Sequence, residues 1–194
     1  ILPIYGTPRS GKTTALVTIV NGALAAGYHV VIAAPRNNAL RKFSGHAGVE
    51  RIFHNAGEMT VEALSPYGRT QNMLYVFDDC QLLKDIGASN WLQEQISVQD
   101  AEGAGFVFAG DAAEFPTGFG NWGTRVKALK RGILLKPDEL IYQDLINIKI
   151  KRSDLSAQMP AGRGYFHLGN HSSVIQMASS SPRTNPPLPP KTNA

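Results

Sequence analysis

The chain has 194 residues, 43% hydrophobic and 18% charged, with a formal net charge of +4. That is enough for one buried core, and the composition suits a soluble globular domain. The single cysteine, Cys80, excludes an internal disulfide framework and fits a reducing compartment. No run approaches the length of a membrane span and no signal peptide is visible.

Ile1 to Tyr5 reads as a first strand. The segment that follows is Gly6-Thr7-Pro8-Arg9-Ser10-Gly11-Lys12-Thr13-Thr14, which fits the phosphate-binding loop pattern G-x-x-x-x-G-K-[ST]. Glycines let backbone N–H groups curl around phosphate oxygens. Lys12 is placed to reach the β- and γ-phosphates of a nucleotide, and the Thr13 hydroxyl to ligate Mg²⁺. A helix is expected over Lys12 to Ala26, with Ala15, Leu16, Ile19, Val20, Ala23 and Leu24 at helical spacing and Gly27 as its stop. Its positive N-terminal end faces the same anion site. The plainer reading of 6–14 is a glycine-rich turn with a solvated lysine.

His29 to Ala34 reads as a second buried strand, and Asn37 to Phe43 as the start of another helix. Residues 45 to 60 carry no clear period. Met73 to Phe77 is an apolar run ending in Asp78-Asp79. Trp91 to Gln99 is helical in pattern, with Trp91 in the core by default, while Trp122 suits a core or an interface. Phe106 to Ala109 is a further apolar run, ending in Gly110-Asp111. Gly132 to Leu135, Gly164 to Leu168 and Val174 to Met177 read as short strands. Ser179 to Ala194 is rich in Pro and Ser and reads as a disordered or extended tail. The expected organisation is therefore a domain over 1–178 and a tail over 179–194. The chain opens at Ile1 without a methionine, which suggests a piece of a longer protein.

Strands alternating with helical segments imply parallel βαβ units and an α/β fold, a mostly parallel central sheet flanked by helices. Such sheets bind ligands at the carboxyl ends of their strands. The loop at 6–14, the pair Asp78-Asp79 and Asp111 each follow a strand-like run, so all three fall at that edge. An apolar strand ending in an acid is the Walker B arrangement: Asp78 is the expected Mg²⁺ ligand, directly or through water, and Asp79 occupies the position of a catalytic base. Asp111 reads as a loop cap ahead of a γ-phosphate sensor. Arg125, Arg131 and Arg163 are candidate arginine fingers. Cys80 is expected to pack beside the site without reacting. His167 and His171 are four apart on a strand-and-turn segment, which does not amount to a metal site. The basic clusters Arg36/Arg41/Lys42, Lys127/Lys130/Arg131 and Lys149/Lys151/Arg152 lack interleaved aromatics and read as solvated faces.

The segments GTPRSGKTTAL (6–16), LYVFDDCQLL (74–83), FVFAGDAAEF (106–115) and PAGRGYFHLGNHSSVIQMA (160–178) resemble FtsK/SpoIIIE-type ATPase domains. They resemble more closely the C-terminal, third ATPase domain of the type VII secretion ATPases called EssC or EccC. The resemblance covers 1–178. It implies a RecA-like P-loop NTPase fold, ATP with Mg²⁺ as cofactors, and the family's nucleotide residues at Gly6 to Thr14 with its acids at Asp78 and Asp79. It also implies a cytoplasmic domain of a membrane-anchored motor that works as a hexamer. Its partners would be the other ATPase domains of the same parent chain and secreted helical hairpins of the WXG100 type. Asp79 departs from the glutamate of DNA-translocating relatives, and its shorter side chain bears on turnover more than on binding. Two rival expectations remain, a DNA-translocating ATPase, not favoured by the mild basicity, and a degenerate ATPase fold used for substrate docking.

Overall fold

The computed structural model describes residues 1–68, 72–97, 103–156 and 159–178. The Pro- and Ser-rich segment 179–194, read from sequence as a tail, lies outside the described residues, as do the last two residues of the helix expected over 91–99. One sheet of eight strands organises the chain: β1 (Leu2–Gly6), β2 (His29–Ala33), β3 (Val49–Phe53), β4 (Met73–Phe77), β5 (Gly105–Asp111), β6 (Gly132–Leu135), β7 (Arg163–Leu168) and β8 (His171–Gln176). Their spatial order is β3-β2-β4-β5-β1-β6-β7-β8. The neighbours from β3 to β6 run parallel, and β7 and β8 close that edge as an antiparallel hairpin. The expected mostly parallel α/β architecture is the one observed.

Side chains alternate across this sheet, and the two faces differ in kind. One face carries Ile4, Val30, Ile32, Val76, Val107, Ala109, Ile133 and Leu135 beneath Ala15, Leu16 and Val20 of α1 (Lys12–Ala25). The other carries the rings of Tyr5, Tyr75, Phe77, Phe106 and Phe108. Tyr75 stacks on Phe106 and Phe77 on Phe108, each pair with centroids 4.8 Å apart. The aliphatic face packs against α1, and the aromatic face lies beneath α3 (Ser89–Ser97) and α4 (Trp122–Ala128).

Most expected strands match the observed ones to within a few residues. Three differences have clear causes. β3 was not visible because Val49-Glu50-Arg51-Ile52-Phe53 sits at the sheet edge, with its two charged residues exposed, and so has no continuous apolar run. The helix expected from Asn37 is a 3₁₀ turn over Ala39–Phe43 capped by Asn38. α4 has only seven residues, one of them Gly123, too short for a periodic pattern. It buries Trp122 completely against Phe108, whose ring centroid is 5.1 Å away, and the indole Nε1 donates to Leu83 O at 3.1 Å. Trp122 is therefore core, and Trp91 is half-buried against Tyr75. The short α2 (Val61–Leu64) and α5 (Arg152–Ser156) complete the helices described.

Candidate functional site

The carboxyl ends of β1, β2, β4 and β5 meet at a cleft of about 680 Å³. Residues 8–14 form one wall, and Arg36, Asn37, Asn38, Asp79, Gln81, Asp111 and Glu114 line the rest. The three polar signals seen in the sequence thus come together at one edge.

The loop wall is built by backbone. Arg9 and Gly11 have φ of 61° and 99°, and Gly11 is the N-cap of α1. No side chain caps this helix and its first turn holds no acid, so the N–H groups there are left for an anion. Gly11 has a second constraint. A Cβ there would lie 2.7 Å from the nitrogen of Gly162, which donates to Ser10 O at 2.7 Å. Gly162 in turn accepts from Met177 N at 2.8 Å, and the Thr18 hydroxyl donates to Ala178 O at 2.9 Å. The late segment 160–178 therefore clasps the loop from outside. Lys12 Nζ donates to Gly6 O at 2.8 Å and Thr7 O at 2.9 Å. Burial pushes its pKa down, although Asp111, Asp78 and Asp79 all favour its charge. The Ser10 hydroxyl lines this cleft, is buried and has no hydrogen-bond partner among the described residues.

The facing wall is built by side chains. Asp78 is 1% exposed. Its Oδ2 accepts from Thr13 Oγ1 at 2.8 Å and from Asn38 Nδ2 at 2.9 Å, and its Oδ1 from the Asp79 backbone N–H at 2.9 Å. Burial raises its pKa, opposed by the Thr13 hydrogen bond. Asp79 adopts a left-handed conformation, φ 46° and ψ 49°, a geometry aspartate tolerates better than most residues. Its Oδ1 accepts from Gln81 Nε2 at 3.1 Å, and its Oδ2 lies 3.7 Å from Arg36 Nε. Gln81 also accepts from the Asp111 backbone N–H at 3.1 Å, tying the ends of β4 and β5 together. Asp111 Oδ1 accepts from Ala113 N at 2.9 Å and Glu114 N at 3.4 Å, the geometry of a loop cap.

This donor set fits a nucleotide with a hard divalent cation. The fit rests on the orphaned Ser10 hydroxyl, the uncapped α1 amides, and hydroxyl and carboxylate oxygens of Thr13 and Asp78 at hydrogen-bond distance. Asn38 and Gln81 were not singled out from the sequence. The available signal was their position, each a few residues past the carboxyl end of a strand. Of the candidate arginines, Arg163 follows Gly162 directly. Arg131 lines a separate apolar pocket with Ile1 and Leu2 at the opposite strand ends, and Arg125 lies in the last turn of α4. Cys80 is fully buried, and burial raises its thiol well above the ordinary value, which disfavours the reactive thiolate. His167 is buried and paired with the Ser172 hydroxyl at 2.7 Å. No helix among the described residues is long and apolar enough to cross a membrane.

No protein-family model and no curated protein matches this chain. Among solved structures it is similar to the cytoplasmic domain of EssC, with a TM-score of 0.70 and 18% identity over 92% of this chain. It is similar to EssC (ATPases 2 and 3) from Geobacillus thermodenitrificans, with a TM-score of 0.67 and 20% identity over 92% of this chain. The chain spans 38% and 36% of the lengths of these two. A third structure is the genome packaging NTPase B204 from Sulfolobus turreted icosahedral virus 2 in complex with sulfate. There the TM-score is 0.58 at 11% identity, over 90% of this chain and 94% of that one. The likeness to EssC ATPase domains expected from the sequence is present in the structure. At these identities the likeness shows a shared α/β fold.

Proposed function

We propose that this chain is an ATP-binding ATPase domain of a membrane-anchored protein secretion motor of the EssC type, with weak turnover on its own. The observation that carries the reading is the contact between Thr13 Oγ1 and Asp78 Oδ2 beside the uncapped start of α1. It joins the end of the phosphate loop to the end of β4 through the two oxygens that suit Mg²⁺. The cation supplies charge neutralisation for the β- and γ-phosphates when bound. The residues of this chain do the rest: the amides of 9–14 and Lys12 hold the phosphates, Thr13 and Asp78 hold the cation, and Asp79 faces the cleft as the candidate base. Low turnover in isolation is the expectation because RecA-like sites usually lie between subunits, where a neighbour supplies a charge-stabilising arginine. In the parent protein the partners would be its other ATPase domains within a hexamer and WXG100-type secreted proteins.

Calorimetric titration of Mg·ATP, with Lys12→Ala as control, tests the nucleotide site. Micromolar or tighter binding that the variant loses is expected. No heat and no thermal shift at millimolar ATP would sink the proposal. The likeness to a genome packaging NTPase over nearly its whole length favours a second reading, a nucleic-acid motor. It predicts ATP hydrolysis stimulated by double-stranded DNA, with an effect that falls steeply as salt rises. Hydrolysis indifferent to DNA excludes it.

A further inference from the structure

We propose that Arg36 is a ligand for the terminal phosphate of the bound nucleotide, supplied by the same chain, and that Asp79 holds this arginine until a triphosphate takes it over. The inference rests on the nucleotide reading of the cleft and adds a residue that distinguishes triphosphate from diphosphate.

Arg36 lies three residues beyond β2, on the wall facing the phosphate loop, and lines the same cleft as Lys12 and Thr13. Arg9, Lys12 and Arg36 all line the cleft, Arg36 on the wall opposite the other two. The guanidinium charge of Arg36 is near enough to Lys12 to disfavour its ammonium. Positive charges on opposite walls draw an anion between them, and a terminal phosphate is the anion this loop is shaped to position. The structure gives Arg36 one ion pair, its Nε lying 3.7 Å from Asp79 Oδ2. That separation exceeds a good charge-assisted hydrogen bond, and the Arg36 side chain is 62% exposed. A pair this long, with its arginine exposed, is weak and is exchanged readily for a better anion. A phosphate group offers more charge and a bidentate fit to guanidinium.

Exchange changes Asp79 too. Its two oxygens are now divided between Gln81 and Arg36. When Arg36 moves to phosphate, Oδ2 is freed to face water while Gln81 still orients the carboxylate. The acid would thus become available as a base only when a third phosphate is bound, which ties readiness for hydrolysis to the correct ligand.

The test compares Mg·AMP-PNP and Mg·ADP binding to the 194-residue chain by calorimetry. Arg36→Ala should weaken AMP-PNP by about tenfold, the loss of a charge-assisted contact, and leave ADP within about twofold. Arg36→Lys should restore part of the loss. Asp79→Asn should tighten AMP-PNP relative to ADP, and that gain should vanish in the Arg36→Ala background. Equal weakening of both nucleotides, or no change for AMP-PNP, overturns the proposal while leaving the nucleotide site standing. A wild-type chain that binds neither nucleotide overturns the nucleotide reading and this inference with it. Melting temperatures without nucleotide should match wild type for both Arg36 variants, because the side chain is exposed.

Discussion

The two walls of the cleft hold their shape by different means. The loop wall, residues 6–14, is contiguous and positioned by backbone: two positive-φ residues, an uncapped helix start and a clasp from Gly162. The facing wall is assembled from β2, β4 and β5, and side chains fix it: Asn38 and Thr13 on Asp78, Gln81 and Arg36 on Asp79. Damage to the first should therefore be steric and global, and damage to the second chemical and local. The largest expected effect is at Gly11. Gly11→Ala places a Cβ at φ 99° and 2.7 Å from the Gly162 nitrogen, so it should destabilise the domain by about 3 kcal/mol, the upper end for a strained backbone. It should also abolish nucleotide binding, because the Ser10–Gly162 bond cannot persist. A melting curve and a binding isotherm that both match wild type would show that the clasp does not shape the loop.

On the facing wall, Asn38 has two jobs. Its Oδ1 accepts from Leu40 N at 2.9 Å to cap the 3₁₀ turn, and its Nδ2 donates to Asp78. Asn38→Ala should cost about 1–2 kcal/mol in stability, the range for leaving a buried polar group short of a partner. The loss in Mg²⁺-dependent nucleotide affinity should be larger than the loss measured in EDTA, because the missing contact orients the cation's carboxylate. Equal losses with and without Mg²⁺ would assign Asn38 to the turn alone.

The same contrast governs what could be read from the sequence. The loop wall was legible because its requirements are local: glycine where the backbone turns, lysine and threonine at fixed offsets, strand before and helix after. Asp78 was legible because a fully apolar run, Met73 to Phe77, ends on it. Asn38, Gln81 and Arg36 were not, because their roles depend on which strand ends are neighbours. β2 and β4 pair in space but lie forty residues apart in the Asn38–Asp78 contact. A polar residue after a strand looks the same whether it caps a turn or holds a catalytic acid. The role of Gly162 was hidden likewise, since β7 and β8 meet the loop only through the antiparallel hairpin added at the sheet edge. The edge strand β3 was obscured by its exposed Glu50 and Arg51.

The smallest effect isolates the electrostatics of Asp78. Its pKa is raised in the folded chain, chiefly by burial and despite the Thr13 hydrogen bond. A carboxyl whose folded pKa lies above its unfolded one favours folding when protonated, so that contribution is present at low pH and is lost as pH rises through the folded pKa. Without ligands, ionising Asp78 therefore works against stability above the carboxylate range. A divalent cation reverses the sign, because it interacts with the ionised form and lowers the same pKa. The stabilisation by Mg·ADP over ADP with EDTA should accordingly grow as pH rises through the folded pKa of Asp78, by about 2 °C in melting temperature. In Asp78→Asn the part of this increment that Asp78 supplies should be lost, leaving only what titration of the ADP phosphate contributes, while any stabilisation by metal-free ADP stays, because that part belongs to the loop wall. If the Mg²⁺ increment did not change with pH, or were undiminished in Asp78→Asn, the cation would be held by groups other than this buried acid. The side-chain wall would then serve the fold rather than the ligand.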